Sequence, residues 1–216
     1  MNKNIMMLAF PCFVACSEAP TAAVEADDAS AERCRLTGNI VATDIDGTLT
    51  VSHEEWEQQL ADPTYDQEER PDAALLMRAY AAKGYTVAYI TARWSGFDLS
   101  DGRSSTEATL DWLVDHDFPV KASMLFLAPD EDSAEDPVDY KTDVLDDLTA
   151  RGATLAYAYG NTDTDVEAYL DAGFDDDNVF HVSVSTGDDG TVGLPDDEAY
   201  DVHIDDHMGS VPSVCR

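Results

Sequence analysis

Between Asn39 and Thr50 an apolar run, Ile40 to Ala42, passes straight into two carboxylates one residue apart, Asp44 and Asp46, followed by Gly47 and Thr48. A short apolar run of this kind reads as a strand buried on both faces. Side chains at i and i+2 of an extended chain point the same way, so Asp44 and Asp46 face one site as the strand ends. Gly47 lets the backbone turn sharply there. Two adjacent carboxylates repel unless a cation sits between them. Hard oxygen donors select a divalent ion, Mg²⁺ foremost. The carboxyl edge of a parallel sheet is where α/β proteins hold ligands. The competing reading, an Asp-Gly turn with solvated acids, is opposed by the strand before it and the Gly-Thr after it.

Helix and strand signals alternate through the rest of the chain. Residues 71–84 begin with Pro and stop at Gly around an apolar stretch, the pattern of a helix. Residues 85–91 read as the next strand, 104–116 as a helix with Leu110, Leu113 and Val114 toward the core, and 122–127 as a third strand. A third helix covers 140–152, stopped by Gly152; strands follow at 154–159 and 178–183, and a glycine-bounded turn at 187–190. Strand–helix–strand order implies parallel pairs with right-handed crossovers. Residues 51–70 are polar and contain no strong strand; their length suits a short helix or lid rather than a cap domain. Residues 129–137 lack EF-hand spacing and read as a solvated acidic loop. Trp112 and His181 read as packing residues. His203, Asp205, Asp206 and His207 form either a second metal cluster or a solvated acidic segment.

The ends of these elements carry the chemistry. Asp44-Ile-Asp46-Gly-Thr resembles the first motif of the haloacid dehalogenase (HAD) superfamily of phosphohydrolases, in which the first Asp is the nucleophile and the second the general acid/base. Thr91, closing an apolar strand, is similar to the second motif, whose hydroxyl holds a phosphoryl oxygen. Ala92 and Arg93 beside it are candidate phosphate contacts, although Arg93 is equally suited to pair with a carboxylate. Lys141 resembles the third motif, which offsets the charge of the nucleophile and the phosphate. A lysine in the first turn of a helix opposes the macrodipole, which marks it as placed for a purpose.

The stretch Gly160-Asn161-Thr-Asp-Thr164-Asp165-Val166-Glu-Ala-Tyr169 resembles the lipin phosphatidate phosphatases. It also resembles the related C-terminal domain of membrane-associated phosphatidylinositol transfer proteins. That resemblance implies a Mg²⁺ site of Asp44, Asp46 and Asn161, with Asp165 supporting the shell. Asp163 is an extra acid, and Thr162 stands where lipins often have Arg. The resemblance runs roughly from residue 39 to 194. It implies a HAD-like Rossmannoid three-layer α/β sandwich with a central, mainly parallel sheet and no large cap domain. The implied reaction is Mg²⁺-dependent phosphomonoester hydrolysis through an aspartyl-phosphate, with Asp44, Asp46, Thr91 and Lys141 catalytic. Phosphatidic acid or a related phospholipid is the implied substrate. Small soluble phosphomonoesters are one alternative. The other is a module that binds phosphatidic acid without hydrolysis, as in relatives whose second Asp is replaced; this chain keeps both.

Charge bears on partners and compartment. Forty-five Asp+Glu against 12 Lys+Arg give a net charge of −33, which excludes nucleic acid as a partner and opposes electrostatic docking on an anionic membrane. Either salt adaptation or generic solubility accounts for it. At the N-terminus Lys3 precedes an apolar run over residues 5–15 that is too short to span a bilayer, as in a signal peptide. Phe13-Val14-Ala15-Cys16 resembles a bacterial lipobox with Phe13 in place of the usual Leu, so Cys16 is expected to carry lipid; an ordinary secretory signal is the alternative. Residues 16–35 read as a disordered acidic tether and 36–216 as the folded domain. The expectation is an exported lipoprotein, anchored to a membrane of the bacterial envelope in the periplasm or at the outer membrane. Cys34 and Cys215 are then a candidate disulfide; it would close a loop of about 180 residues, worth about 5 kcal/mol of unfolded-chain entropy. Two free thiols are the alternative. Nothing in the sequence fixes the oligomeric state.

Overall fold

The structure, a computed structural model, describes residues 38–195 and 200–214. The expected signal segment, Cys16 and the Cys34–Cys215 pair lie outside the described residues. Among the described residues six strands form one sheet: β1 (Asn39–Thr43), β2 (Thr86–Trp94), β3 (Leu125–Ala128), β4 (Thr154–Gly160), β5 (Val179–Val182) and β6 (Val192–Leu194). Their order is β3-β2-β1-β4-β5-β6, and every neighbouring pair is parallel. The helices are α1 (Glu54–Ala61), α2 (Ala73–Ala82), α3 (Ser105–Asp115), α4 (Glu131–Glu135), α5 (Pro137–Ala150), α6 (Asp163–Asp171) and α7 (Tyr200–His207).

Alternation along the strands sorts the core into two halves. Val41, Val87, Tyr89, Tyr159 and Phe180 face one way, into a cluster with Leu76, Met77 and Tyr80 of α2, Trp112 and Leu113 of α3, and Tyr200 of α7. Ile40, Ala42, Ala88, Ile90, Ala158 and Val179 face the other way, against Leu145 and Leu148 of α5 and Val166 and Tyr169 of α6. Helices thus cover both faces, giving the three-layer α/β sandwich expected. Each fully buried side chain of this size stabilises by about 1.5–3 kcal/mol. The chain builds the sheet outward from β1 in one direction and then the other, so the strand order reverses between β1 and β4. The crevice outside the carboxyl ends at such a switch point is the ligand position in doubly wound sheets.

Several elements differ from the sequence reading. Helix α5 begins at Pro137, capped by the Asp136 side chain, so Lys141 lies in its second turn and the macrodipole argument for it falls away. Residues 129–137 are not a plain loop: Asp130 caps the short, exposed helix α4. On α3 the buried face is Ser105, Ala108, Thr109, Trp112 and Leu113, whereas Val114 is 56% exposed and Leu110 half-buried. Strand β6 and helix α7 have no counterpart among the elements expected from the sequence. Asp205 and Asp206 of α7 are exposed, as a solvated acidic segment requires, but the imidazoles beside them turn inward and belong to no metal cluster among the described residues. His203 Nε2 lies 2.8 Å from the Tyr159 hydroxyl and His207 Nε2 lies 2.8 Å from that of Tyr80, while the two hydroxyls are 2.8 Å apart. Three hydrogen bonds need three protons and the hydroxyls supply two, so at least one histidine donates from Nε2. Burial pushes His203 down to about 3 and lowers His207 as well.

Candidate active site

The turn after β1 is fixed from several sides. Gly47 has φ +80°, and a Cβ there would lie 2.4 Å from Asn161 Nδ2, so both conformation and space demand glycine. Arg70 donates to the Gly47 carbonyl at 2.7 Å, and the buried Tyr200 hydroxyl donates to the Thr48 carbonyl at 2.9 Å. The Asp44 amide donates to the Tyr159 carbonyl at 3.0 Å, tying the end of β1 to β4. The Thr48 hydroxyl lies 3.0 Å from Asn161 Oδ1 and 3.3 Å from Asp44 Oδ2. It orients the amide oxygen of Asn161 toward the same turn as Asp44.

Lys141 and Asp165 form the second part. Lys141 Nζ donates to Asp44 Oδ1 at 2.6 Å and to Asp165 Oδ1 at 2.5 Å, and all three side chains are buried. The other Asp165 oxygen accepts from the amides of Asn161 and Thr162 at 3.1 Å and from the Thr162 hydroxyl at 2.8 Å. These bonds include the capping box that starts α6. Both oxygens of Asp165 are therefore engaged in holding Lys141 and the Asn161 loop. Gly160 leaves room for this, since a Cβ there would lie 2.3 Å from that of Asp165.

Asp46 is held from the other side. Arg93 grips it bidentately, Nε to Oδ2 at 3.0 Å and Nη2 to Oδ1 at 2.7 Å, and the Thr91 hydroxyl donates to Oδ2 at 3.1 Å. The guanidinium also donates to the Thr109 hydroxyl at 3.0 Å and the Gln67 amide oxygen at 2.6 Å, and lies 4.2 Å from the centre of the Trp56 ring. Between the two roles open to Arg93, the structure shows the carboxylate pair. Thr91, expected on a phosphoryl oxygen, is turned onto Asp46 as well. Trp56, Gln67 and Thr109 were not singled out as site residues from sequence. The first two sit in the polar stretch 51–70, which has no periodicity to expose them, and Thr109 reads as one more helix position.

Three buried carboxylates, Asp44, Asp46 and Asp165, thus meet two buried cations, Lys141 and Arg93. Asp44 is pushed up to about 7, chiefly by burial; Lys141 opposes the rise, while Asp165 and Asp46 add to it. Burial alone would lower Lys141, but Asp165 and Asp44 outweigh it and hold the ammonium well above its usual range. The cluster is one positive charge short, and its available donors are oxygens. That donor set fits a hard divalent cation such as Mg²⁺, with Asp44, the Asp46 carbonyl and Asn161 to hold it. These groups line a cleft of about 380 Å³ together with Ala92, Trp56 and Trp94.

A family model for the LNS2 domain of PITM 1-3 matches residues 41–183. The chain belongs to the LNS2 family. The matched span holds every residue of the site except Tyr200. It stops before β6 and α7, yet both pack with the rest of this LNS2 domain. Among solved structures, a candidate HAD-like phosphatase from Mesorhizobium loti is similar with a TM-score of 0.51 at 14% identity, covering 83% of this chain and 88% of that one. DsGPDH of Dunaliella salina matches with a TM-score of 0.45 at 17% identity, covering 79% of this chain and 28% of its own. No curated protein matches in sequence. The first of these likenesses and the family together place the chain in the HAD superfamily, with a lipin-type domain.

Proposed function

We propose that this LNS2 domain is a Mg²⁺-dependent phosphomonoester hydrolase working through an aspartyl-phosphate on Asp44, with phosphatidic acid or a related phospholipid as substrate. The observation that carries the reading is the arrangement of Asp44 against Lys141, with Asp46 two residues on and also facing the cleft. Oδ2 of Asp44, the oxygen that Lys141 does not hold, attacks phosphorus in line, and the bond to the leaving alkoxide breaks. Asp46 gives that alkoxide a proton, then takes one from the water that attacks phosphorus and releases phosphate from Asp44. Both Asp46 oxygens accept from Arg93, so neither can donate until Arg93 moves. Once released, the guanidinium is available, with Thr91, Lys141 and the Ala92 backbone, to the phosphoryl oxygens where charge develops. A bound Mg²⁺ offsets the repulsion between Asp44 and the incoming phosphate.

A lipid substrate is supported by the cleft mouth, where Trp94 is 38% exposed and the nearby Phe97 40% exposed, and by the absence of a large cap among the described residues. The net charge of −33 favours a second reading, a phosphatase for small soluble phosphomonoesters. Residues 1–15 serve as a signal that is removed, and residues 16–35, with lipid on Cys16, as the tether that holds the domain at a membrane of the bacterial envelope; Cys34 pairs with Cys215. The test is phosphate release with Mg²⁺ from phosphatidic acid vesicles and from a soluble monoester, with Asp44→Asn alongside. Release from vesicles alone, absent in the variant, supports the lipid reading. Release from the soluble ester alone moves the assignment to the second. Vesicle binding without release from either removes the catalytic reading.

A further inference from the structure

One strand over from the catalytic edge, His181 of β5 lies in register with Gly160 of β4. Its side chain is 3% exposed, yet Nδ1 has no hydrogen-bond partner. A buried nitrogen without a partner is rare. The two ring nitrogens face two carboxylates at distances too long for hydrogen bonds: Nε2 is 4.0 Å from Asp163 and Nδ1 is 3.9 Å from Asp188. One ligand atom from each of these three residues lies within 4.8 Å of the others. The carboxylates are 90% and 69% exposed, so they are free to rotate, whereas the imidazole is fixed by burial. Asp163 starts α6 and Asp188 lies between β5 and β6. Together with Glu167, Asp171 and Asp189 they line a groove of about 640 Å³.

We propose that His181, Asp163 and Asp188 form a second cation site, for a borderline first-row divalent ion such as Zn²⁺, distinct from the Asp44 site. One imidazole and two carboxylates suit such an ion better than Mg²⁺, which favours all-oxygen shells. The ring gives one ion one nitrogen, and the unpartnered Nδ1 is the donor; ligand atoms around a tetrahedral ion sit about 3.4 Å apart, so Asp188 closes in and Asp163 rotates over from the Nε2 side while the histidine stays in place. Three protein ligands leave one position open to water or an anion. The bound ion joins the start of α6 to the β5–β6 connection. The other group of possible metal ligands among the described residues, Asp175 to Asp177, is exposed and has no nitrogen, so it has nothing comparable to select this ion.

The inference stands apart from the hydrolase reading, because its test reads binding. Co²⁺ alone is titrated into the protein in excess Mg²⁺ and high salt, which occupy the oxygen site and screen diffuse binding to the acidic surface. Visible d–d absorption and calorimetric stoichiometry are recorded for the wild type, His181→Gln and Asp188→Asn, and Zn²⁺ is then used to displace the Co²⁺. The expected result is one Co²⁺ per chain with the absorption of a nitrogen-bearing site, weakened at least tenfold in either variant. Asp188 is exposed, so its variant folds whatever befalls His181→Gln, and its Mg²⁺-supported phosphate release is expected to be unchanged. Co²⁺ affinity and absorption equal in the wild type and Asp188→Asn, or no such binding by the wild type, would overturn the site.

Discussion

Without a cation the fold ionises Asp44 only at a cost, because burial pushes its carboxyl up to about 7 from the ordinary 3.8. The folded value lies above the unfolded one. The stability tied to it is present below about pH 4 and is lost as pH rises through 7. Asp44→Asn removes that loss. We expect the variant to melt a few degrees higher than the wild type at pH 8 in chelator, at about 2–4 °C per kcal/mol for a domain of this size, while phosphate release disappears. Calorimetry and a phosphate assay check both halves. Arg93 behaves in the opposite sense. Arg93→Ala leaves Asp46 buried without its partner, which costs about 3–5 kcal/mol; Arg93→Lys keeps the charge and loses the bidentate grip. The lysine variant is therefore expected to fold, with kcat reduced more than stability, as urea melts beside steady-state kinetics would show. Asp44, Asp46, Asn161 and Asp165 were legible because each sits in a local pattern at the end of an element; Lys141, in the second turn of α5, was marked by the family resemblance instead. The carboxylate partner of Arg93 was not legible, since Gln67, Thr109 and Trp56 converge on it from segments whose own spacing says nothing about where they go.

The elements meet at the site through glycines. Gly47→Ala adds strain at φ +80° and a Cβ 2.4 Å from Asn161 Nδ2, about 1–2 kcal/mol from the backbone alone. It is expected to displace Asn161 and to weaken Mg²⁺ activation more than it lowers stability, which a Mg²⁺ titration of activity measures against the melting temperature. Helix α7 makes a separate claim. His203 is driven to about 3, below its ordinary 6.5, so the unfolded chain binds more protons in between. That contribution is present above pH 6.5 and is lost as pH falls toward 3, by at most about 1.4 kcal/mol per pH unit. Urea melts at pH 7 and pH 5 are expected to show a smaller loss in His203→Gln than in the wild type. Strands β1, β2 and β4 announce themselves by apolar runs, helix α2 by Pro and Gly at its ends, and α5 by the glycine that stops it, its start at Pro137 lying inside a segment that reads as an acidic loop. Strand β6 is three residues long, too short to show a period. Helix α7 buries its face with tyrosine, histidine and their hydrogen bonds, which a hydrophobicity pattern scores as polar.

At the scale of the whole chain, the net charge of −33 is a self-repulsion that folding compresses. Salt at about 1 M shortens the screening length to about 3 Å, so the melting temperature is expected to rise between low and molar NaCl. A flat or falling curve would remove salt adaptation as the reason for the composition. The C-terminal segment is part of the same body: Lys83 donates to the Val211 carbonyl at 2.7 Å, and the Val214 amide donates back to the Lys83 carbonyl at 2.9 Å. The catalytic claim rests on a covalent bond at one atom of this body, and that bond can be trapped. With p-nitrophenyl phosphate the leaving group needs no proton, so Asp46→Asn slows only the second half of the reaction. Acid-quenched mass spectrometry of that variant, mixed with the ester and Mg²⁺, is the most direct test. A phosphoryl group on the peptide bearing Asp44, absent when Asp44 is also changed to Asn, is the expected result. Steady phosphate release by the wild type with no phosphoryl group on Asp44 in the variant, or release that survives Asp44→Asn, would contradict it.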